Sequence, residues 1–282
     1  KGSNDAWEGK TLYELYGEAS TPWEWHKELF QYTRSKGLIC FSTPFDPTAV
    51  DFLESLNNPI VKVASFEVVD IPLLEVIGKT KRPVIMSRGM ATKEEIVLAL
   101  KTLRRAGTKE IILLQCVSAY PAEPTDMHLA TIPDLKKRFK VDAGLSDHTL
   151  GNDIAIASVA LGAVVIEKHL TLARADGGPD SSFSLEPKEF AAMVTSVRTV
   201  EKALGTPSYI PAKNEGANIH FRKSLFVVKD MQKGDCFTPD NVRSIRPGHG
   251  LPPRDLKSIL GKRTVKTLVR GTPLSWKVIA KK

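Results

Sequence analysis

From Gly37 onward, short apolar runs alternate with longer segments whose apolar residues recur at helical spacing. The runs cover residues 38–42, 61–65, 84–87, 111–116, 143–148 and 164–169, and each reads as a strand. Residues 92–106 read as a helix: they open on Thr-Lys-Glu-Glu, a capping-box start, and close before Gly107. Residues 151–162 again show helical spacing, and a last helix runs from about Pro187 to Leu204, stopping at Gly205-Thr206-Pro207. Ahead of Gly37, residues 22–36 read as a helix bearing Trp23, Trp25, Phe30 and Tyr32, whereas 1–16 is polar and loop-like. Such alternation predicts a parallel sheet. Six βα units are legible where a closed barrel has eight. A small open sheet and a barrel entered part-way through therefore both remain open.

The pattern changes after Gly205. Residues 206–219 read as a linker, and from 220 to 282 strand and turn signals follow each other closely, as at Lys233-Gly234-Asp235 and Arg270-Gly271-Thr272. The expected organisation is a barrel-type catalytic domain over 1–205, the linker, and a compact second domain over 220–282.

Composition narrows the class. The 282 residues are 42% hydrophobic and 26% charged, as in ordinary globular proteins. No apolar run approaches the roughly 20 residues that span a bilayer, and the start is too polar for a signal peptide. Cys40, Cys116 and Cys236 are an odd number without CxxC spacing, which fits a reducing compartment. A cytoplasmic protein without a membrane partner is expected. The net charge of +8 is dispersed along the chain, which favours small anionic substrates over nucleic acid.

In parallel βα units all strands end on one side of the sheet, where α/β enzymes keep their chemistry. His148 and His169 close two consecutive strands and are expected side by side there. Each alone is an ordinary satisfied histidine; as a pair they are also a candidate metal site with open positions. The other strand ends carry Ser42-Thr43, Ser65 with Glu67, Ser87, Ser118, Ser146 and Glu167, and Lys62 lies within a strand. One serine often merely opens a loop. Several hydroxyls converging with a lysine would make a phosphate site.

These residues lie in stretches that resemble the sialic acid synthase family, which condenses phosphoenolpyruvate with an amino sugar. The stretches are Phe41-Ser42-Thr43-Pro44-Phe45, Lys62-Val63-Ala64-Ser65-Phe66-Glu67, Met86-Ser87-Arg88-Gly89-Met90, Cys116-Val117-Ser118-Ala119-Tyr120-Pro121, Gly144-Leu145-Ser146-Asp147-His148-Thr149 and Ile166-Glu167-Lys168-His169. Arg246-Pro247-Gly248-His249-Gly250 resembles the antifreeze-like (SAF) domain of these synthases. Thr21-Pro22-Trp23-Glu24-Trp25-His26 and the stretch from Gly177 to Pro187 resemble the pseudaminic acid branch. The acceptor that branch implies is 2,4-diacetamido-2,4,6-trideoxy-altrose, with sialic or legionaminic acid synthesis as the alternative.

Carried over residue by residue, the resemblance assigns a divalent metal, manganese or else magnesium, to His148 and His169. Phosphoenolpyruvate falls to Thr43, Lys62, Ser65, Ser87, Ser118 and Ser146, and Glu67 to the reacting carbons. Tyr120, Glu167 and Asp180 would face the sugar, and Arg246 would reach it from the other subunit of a domain-swapped homodimer. At position 118 this chain has Ser where sialic acid enzymes have Asn, a shorter donor. Family members begin with two further βα units that supply a glutamate and a glutamine, for which this sequence has no match. The implied fold is a (β/α)8-type barrel lacking its first two βα units, plus the SAF domain. Low activity, or a role as a binding or dimerisation partner, is the corresponding expectation. A synthase using a phosphorylated aldose would want basic residues past Tyr120, where Glu123 and Asp126 stand.

Overall fold

The structure, a computed structural model, describes residues 11–281. The chain forms two compact units that part between Gly205 and Thr206. In the first, β1 (Val61–Val63), β2 (Val84–Ser87), β3 (Ile111–Cys116), β4 (Asp142–Asp147) and β5 (Ile166–Lys168) form one sheet in sequential order. All its pairs are parallel. A doubly wound sheet reverses its strand order at a switch point. This one never does, so it is an arc of barrel rather than an open sheet.

Helices α1 (Leu12–Ala19), α2 (Trp23–Ser35) and α3 (Pro47–Ser55) precede β1, and α4 (Ile71–Lys79), α5 (Lys93–Ala106), α6 (Thr131–Phe139) and α7 (Asp153–Ala160) connect the strands. Helix α8 (Pro187–Leu204) follows β5. Their ends are written locally. Thr92 and Glu95 cap α5 reciprocally, and Asp46 accepts from the backbone N–H of Thr48 and Ala49 at the start of α3. The main core lies between strands and helices and includes Leu74, Ile77, Met86, Leu103, Leu113 and Leu135, all nearly inaccessible. Gly144 lets β4 and β5 close up, since a Cβ there would lie 2.4 Å from the Val165 carbonyl oxygen.

Two expectations change. Residues 38–42 do not form a strand: only Ser42 pairs, in a single parallel bridge to Val61, while Leu38 and Ile39 are exposed. Apolar runs of this length cannot distinguish an extended approach from a laddered strand. Residues 12–16 are helical rather than loop-like, because Thr11 and Glu14 form a capping box that starts α1. Residues 1–10 of that stretch lie outside the described residues.

The second unit pairs β6 (Ser224–Val227) with β7 (Val242–Ile245) antiparallel, adds α9 (Leu256–Ile259), and otherwise relies on isolated bridges such as Met231 to Leu268. Its own core contains Leu225, Phe237, Ile259 and Leu274. Residues 213–221, partly within the stretch that reads as a linker, form a 3₁₀ helix.

Candidate active site

Side chains alternate across a strand, so Ser146 and His148 point one way from β4 and its end, and Asp147 the other. The β4–β5 register sets Ser146 opposite Glu167 and Asp147 opposite Lys168. On one face the Ser146 hydroxyl donates to Glu167 Oε1 at 2.7 Å. On the other, Lys168 and Asp147 form an ion pair at 2.8 Å whose side chains are 1% and 0% exposed. Asp147 also accepts from the Thr149 backbone and hydroxyl, which fixes the turn holding His148.

Two of the candidate hydroxyls meet directly. Ser65 and Ser118 share a hydrogen bond of 2.7 Å between the ends of β1 and β3. Gly89, with φ +46°, lies directly behind them: a Cβ there would meet Ser65 Cβ at 2.3 Å and Ser118 Oγ at 3.0 Å. Lys62 is buried, donates to the Val63 carbonyl at 2.9 Å and sits 3.6 Å from Glu167 Oε2. Burial pulls its ammonium below the usual lysine range, against the counteracting charge of Glu167. Burial likewise pushes the Glu67 carboxyl up, partly offset by a backbone hydrogen bond and Lys62.

The two imidazoles lie with ring centroids 5.3 Å apart. Tyr120 packs on His148 at 4.4 Å, and Phe183 on His169 at 5.0 Å. The Tyr120 hydroxyl is pushed up to about 12, first by burial and then by the charges of Cys116, Asp180 and Glu167. His148 Nδ1 is 2.8 Å from the Val117 carbonyl. A carbonyl only accepts, so Nδ1 donates there, and Nε2 is the nitrogen that could meet a ligand. His169 Nδ1 faces Asp180 Oδ2 at 3.6 Å.

Two buried atoms of this cluster, Glu67 Oε2 and Ser87 Oγ, have no hydrogen-bond partner. Buried acceptors and donors are seldom left so unless something binds there. Among the described residues, no three His, Cys, Asp or Glu side chains are gathered as a metal-binding group. A divalent ion would thus be held by two imidazoles, with positions left for substrate and water, and the donor set suits that arrangement.

A match to the NeuB family covers residues 1–209, and a SAF domain match covers 222–280. The chain belongs to the NeuB family. It is 44% identical over 271 residues to the pseudaminic acid synthase of Helicobacter pylori, spanning 95% of this chain and 79% of that protein. It is 41% identical over 268 residues to the pseudaminic acid synthase of Campylobacter jejuni serotype O:23/36, spanning 95% and 78%. The crystal structure of N-acetylneuraminic acid synthetase from Leptospira borgpetersenii in complex with citrate matches with a TM-score of 0.70 and 35% identity, over 76% of this chain and 75% of that one.

Of the candidate residues, Lys62 lies within β1, and Ser65, Glu67, Ser87, Ser118, Tyr120, Ser146, His148, Glu167, His169 and Asp180 lie on the strands and the segments that follow them. Thr43 lies past the Ser42 bridge, in a cavity of about 540 Å³ that is also lined by Trp23, Phe41, Phe45 and Phe52. Arg246 is exposed just past β7 in the second unit, before a cis peptide to Pro247. Sequence reasoning missed five residues around the site. Phe183 is a buried aromatic against His169, and Tyr16 of α1 lies near enough to act electrostatically on Tyr120. Burial pushes the Cys116 thiol up, but hydrogen bonding and charge from His148, then hydrogen bonds with Ser146 and Ser118, leave it below its ordinary value. The Asp147–Lys168 pair was discoverable, since each residue directly precedes a candidate histidine.

Proposed function

We propose that this chain condenses phosphoenolpyruvate with 2,4-diacetamido-2,4,6-trideoxy-altrose to give pseudaminic acid and phosphate. The observation that carries the reading is a buried lysine, the hydroxyls of Ser65, Ser118 and Ser146, and two imidazoles held at the ends of one sheet. The similarity to two pseudaminic acid synthases over 95% of the chain supports the choice of acceptor.

Lys62 holds the charged end of phosphoenolpyruvate, with Thr43, Ser65, Ser87, Ser118 and Ser146 donating to its oxygens. Tyr120, Glu167 and Asp180 orient the open-chain sugar so that its aldehyde carbon meets C3 of the enol. His148 and His169 would hold a divalent ion, manganese or magnesium, which would supply Lewis acidity to the reaction. The C3–C1 bond forms, the aldehyde oxygen gains a proton, water adds to C2, and the C2 centre expels phosphate. Glu67, whose carboxyl burial pushes above the ordinary glutamate range, transfers protons at the reacting carbons. Arg246 reaches the acetamido group from the partner subunit of a domain-swapped homodimer. Dispersed positive charge draws in the anionic donor. Among the described residues no helix is long and apolar enough to cross a membrane, which fits action in the cytoplasm.

Phosphate release from phosphoenolpyruvate with manganese tests this, using the altrose compound, its mannose-configured isomer and N-acetylmannosamine as acceptors. Release with the altrose compound alone supports the proposal. Preference for either other acceptor would replace it with the legionaminic or sialic acid reading, and no release with any would refute it for this chain.

A further inference from the structure

The loop between β5 and α8 carries two residues that face the imidazole pair, and one guanidinium holds its base. Arg174 Nη1 donates to the Ser184 carbonyl at 3.0 Å and to Glu189 Oε2 at 2.6 Å, while Nη2 donates to Glu189 Oε1 at 2.9 Å. The Arg174 backbone N–H donates to Glu186 Oε1 at 3.0 Å. Glu189 lies in the first turn of α8, so the fork ties the loop to a helix. From there the path leads inward. The Ser184 hydroxyl donates to the Asp180 carbonyl at 2.6 Å, and Asp180 Oδ2 faces His169 Nδ1. Phe183, between them in sequence, is buried against the His169 and Tyr120 rings.

The tip of the loop has little conformational preference of its own. Gly177 and Gly178 adopt φ +76° and +119°, where glycine meets no Cβ penalty. The placement of Asp180 therefore depends on the anchors at the base. A carboxylate behind a ligating imidazole fixes ring orientation and raises its basicity, and such outer partners tune metal affinity. A guanidinium fork imposes a geometry on carboxylate and carbonyl that an ammonium cannot reproduce.

We propose that Arg174 is a positioning residue for the metal pair: by fixing Ser184 and hence Asp180, it sets the orientation of His169 and the affinity of the site for a divalent ion. The inference rests on the reading of His148 and His169 as metal ligands. It adds to that reading a control point outside the cluster, on a side chain that touches neither substrate nor ion.

The test is manganese binding to the full chain without substrates, followed by calorimetry and by the resonance signal of free Mn2+. The variants are Arg174→Met, Arg174→Lys, Asp180→Asn, Arg174→Met with Asp180→Asn, and His148→Ala. Arg174→Met and Asp180→Asn should each weaken binding by about ten-fold or more. Lysine should not restore it, and Arg174→Met should add almost nothing once Asp180 is already Asn. Wild-type affinity in Arg174→Met overturns the proposal, even if that variant melts earlier. So does independent, multiplicative loss in the double variant. Equal manganese binding by wild type and His148→Ala would instead sink the metal assignment itself. Should Arg174→Met fail to fold, Glu189→Gln weakens the same fork from the helix side, and the same affinity comparison applies.

Discussion

Lys62 and Glu167 stand on the first and last strands of a five-stranded sheet, yet their charged atoms are 3.6 Å apart. Four spacings of about 4.8 Å would separate those strands by roughly 19 Å in a flat sheet, beyond the span of the two side chains. The sheet must therefore curl until its edges face each other. The same curvature brings Ser65 and Ser118, two strands apart, within a hydrogen bond.

Lys62→Met tests what that closure is for. Its ammonium is buried and held below its ordinary range, so removing it should leave the melting temperature unchanged or raised. Binding of phosphoenolpyruvate should fall by about ten- to a hundred-fold, the worth of one charge-assisted bond of roughly 1.5–3 kcal/mol. Thermal shifts with and without phosphoenolpyruvate separate the two effects. An undiminished ligand shift would remove Lys62 from the site.

The Lys168–Asp147 pair behind the histidines should behave oppositely. Lys168→Met leaves a carboxylate buried without its partner and should cost about 3–5 kcal/mol. Asp147 retains its bonds to Thr149, so urea denaturation should show a lower midpoint with an unchanged slope. Replacing both residues by apolar ones should recover much of the loss.

Glu189 gives a pH signature. The Arg174 side chain, then the Glu186 backbone N–H, hold its carboxyl down to about 2 from an ordinary 4.5. A carboxyl depressed in the folded state contributes stability in full above its unfolded value. That contribution is lost as pH falls from about 4.5 toward 2. Glu189→Gln should be less stable than wild type at pH 7, and the difference should shrink through that window. Parallel stability curves for the two proteins would contradict the assignment.

Gly89→Ala probes the phosphate cradle. A methyl group at φ +46° would press on Ser65 Cβ and Ser118 Oγ. The strain should cost about 1–3 kcal/mol and break the shared hydroxyl bond. Activity should fall further than in Ser118→Ala, which removes one donor and leaves Ser65 where it is. Steady-state phosphate release on both variants makes the comparison.

Much of the unit was legible because its signals are local. Strands β2 and β3, helix α5 with its capping residues, and α8 up to Gly205 were all written in apolar runs and punctuation. The strand-end positions of His148 and His169 followed from the same runs. Residues 38–42 were misread because an apolar run does not say whether a neighbour is there to pair with it. The start of α1 was missed because its signal, Thr11 with Glu14, lies in an otherwise polar stretch.

The sequence by itself determined which side chains stand at strand ends, because period-two alternation and parallel connectivity are properties of the chain. It also determined family membership, through the order of the motifs. Only the tertiary structure decided which of those side chains meet. The reach from Lys62 to Glu167 depends on the curl of the whole sheet. The placement of Asp180 opposite His169 depends on a loop that Arg174 ties to α8 from outside the site. Contacts of that kind arise from how distant elements pack, and no local pattern of residues encodes them.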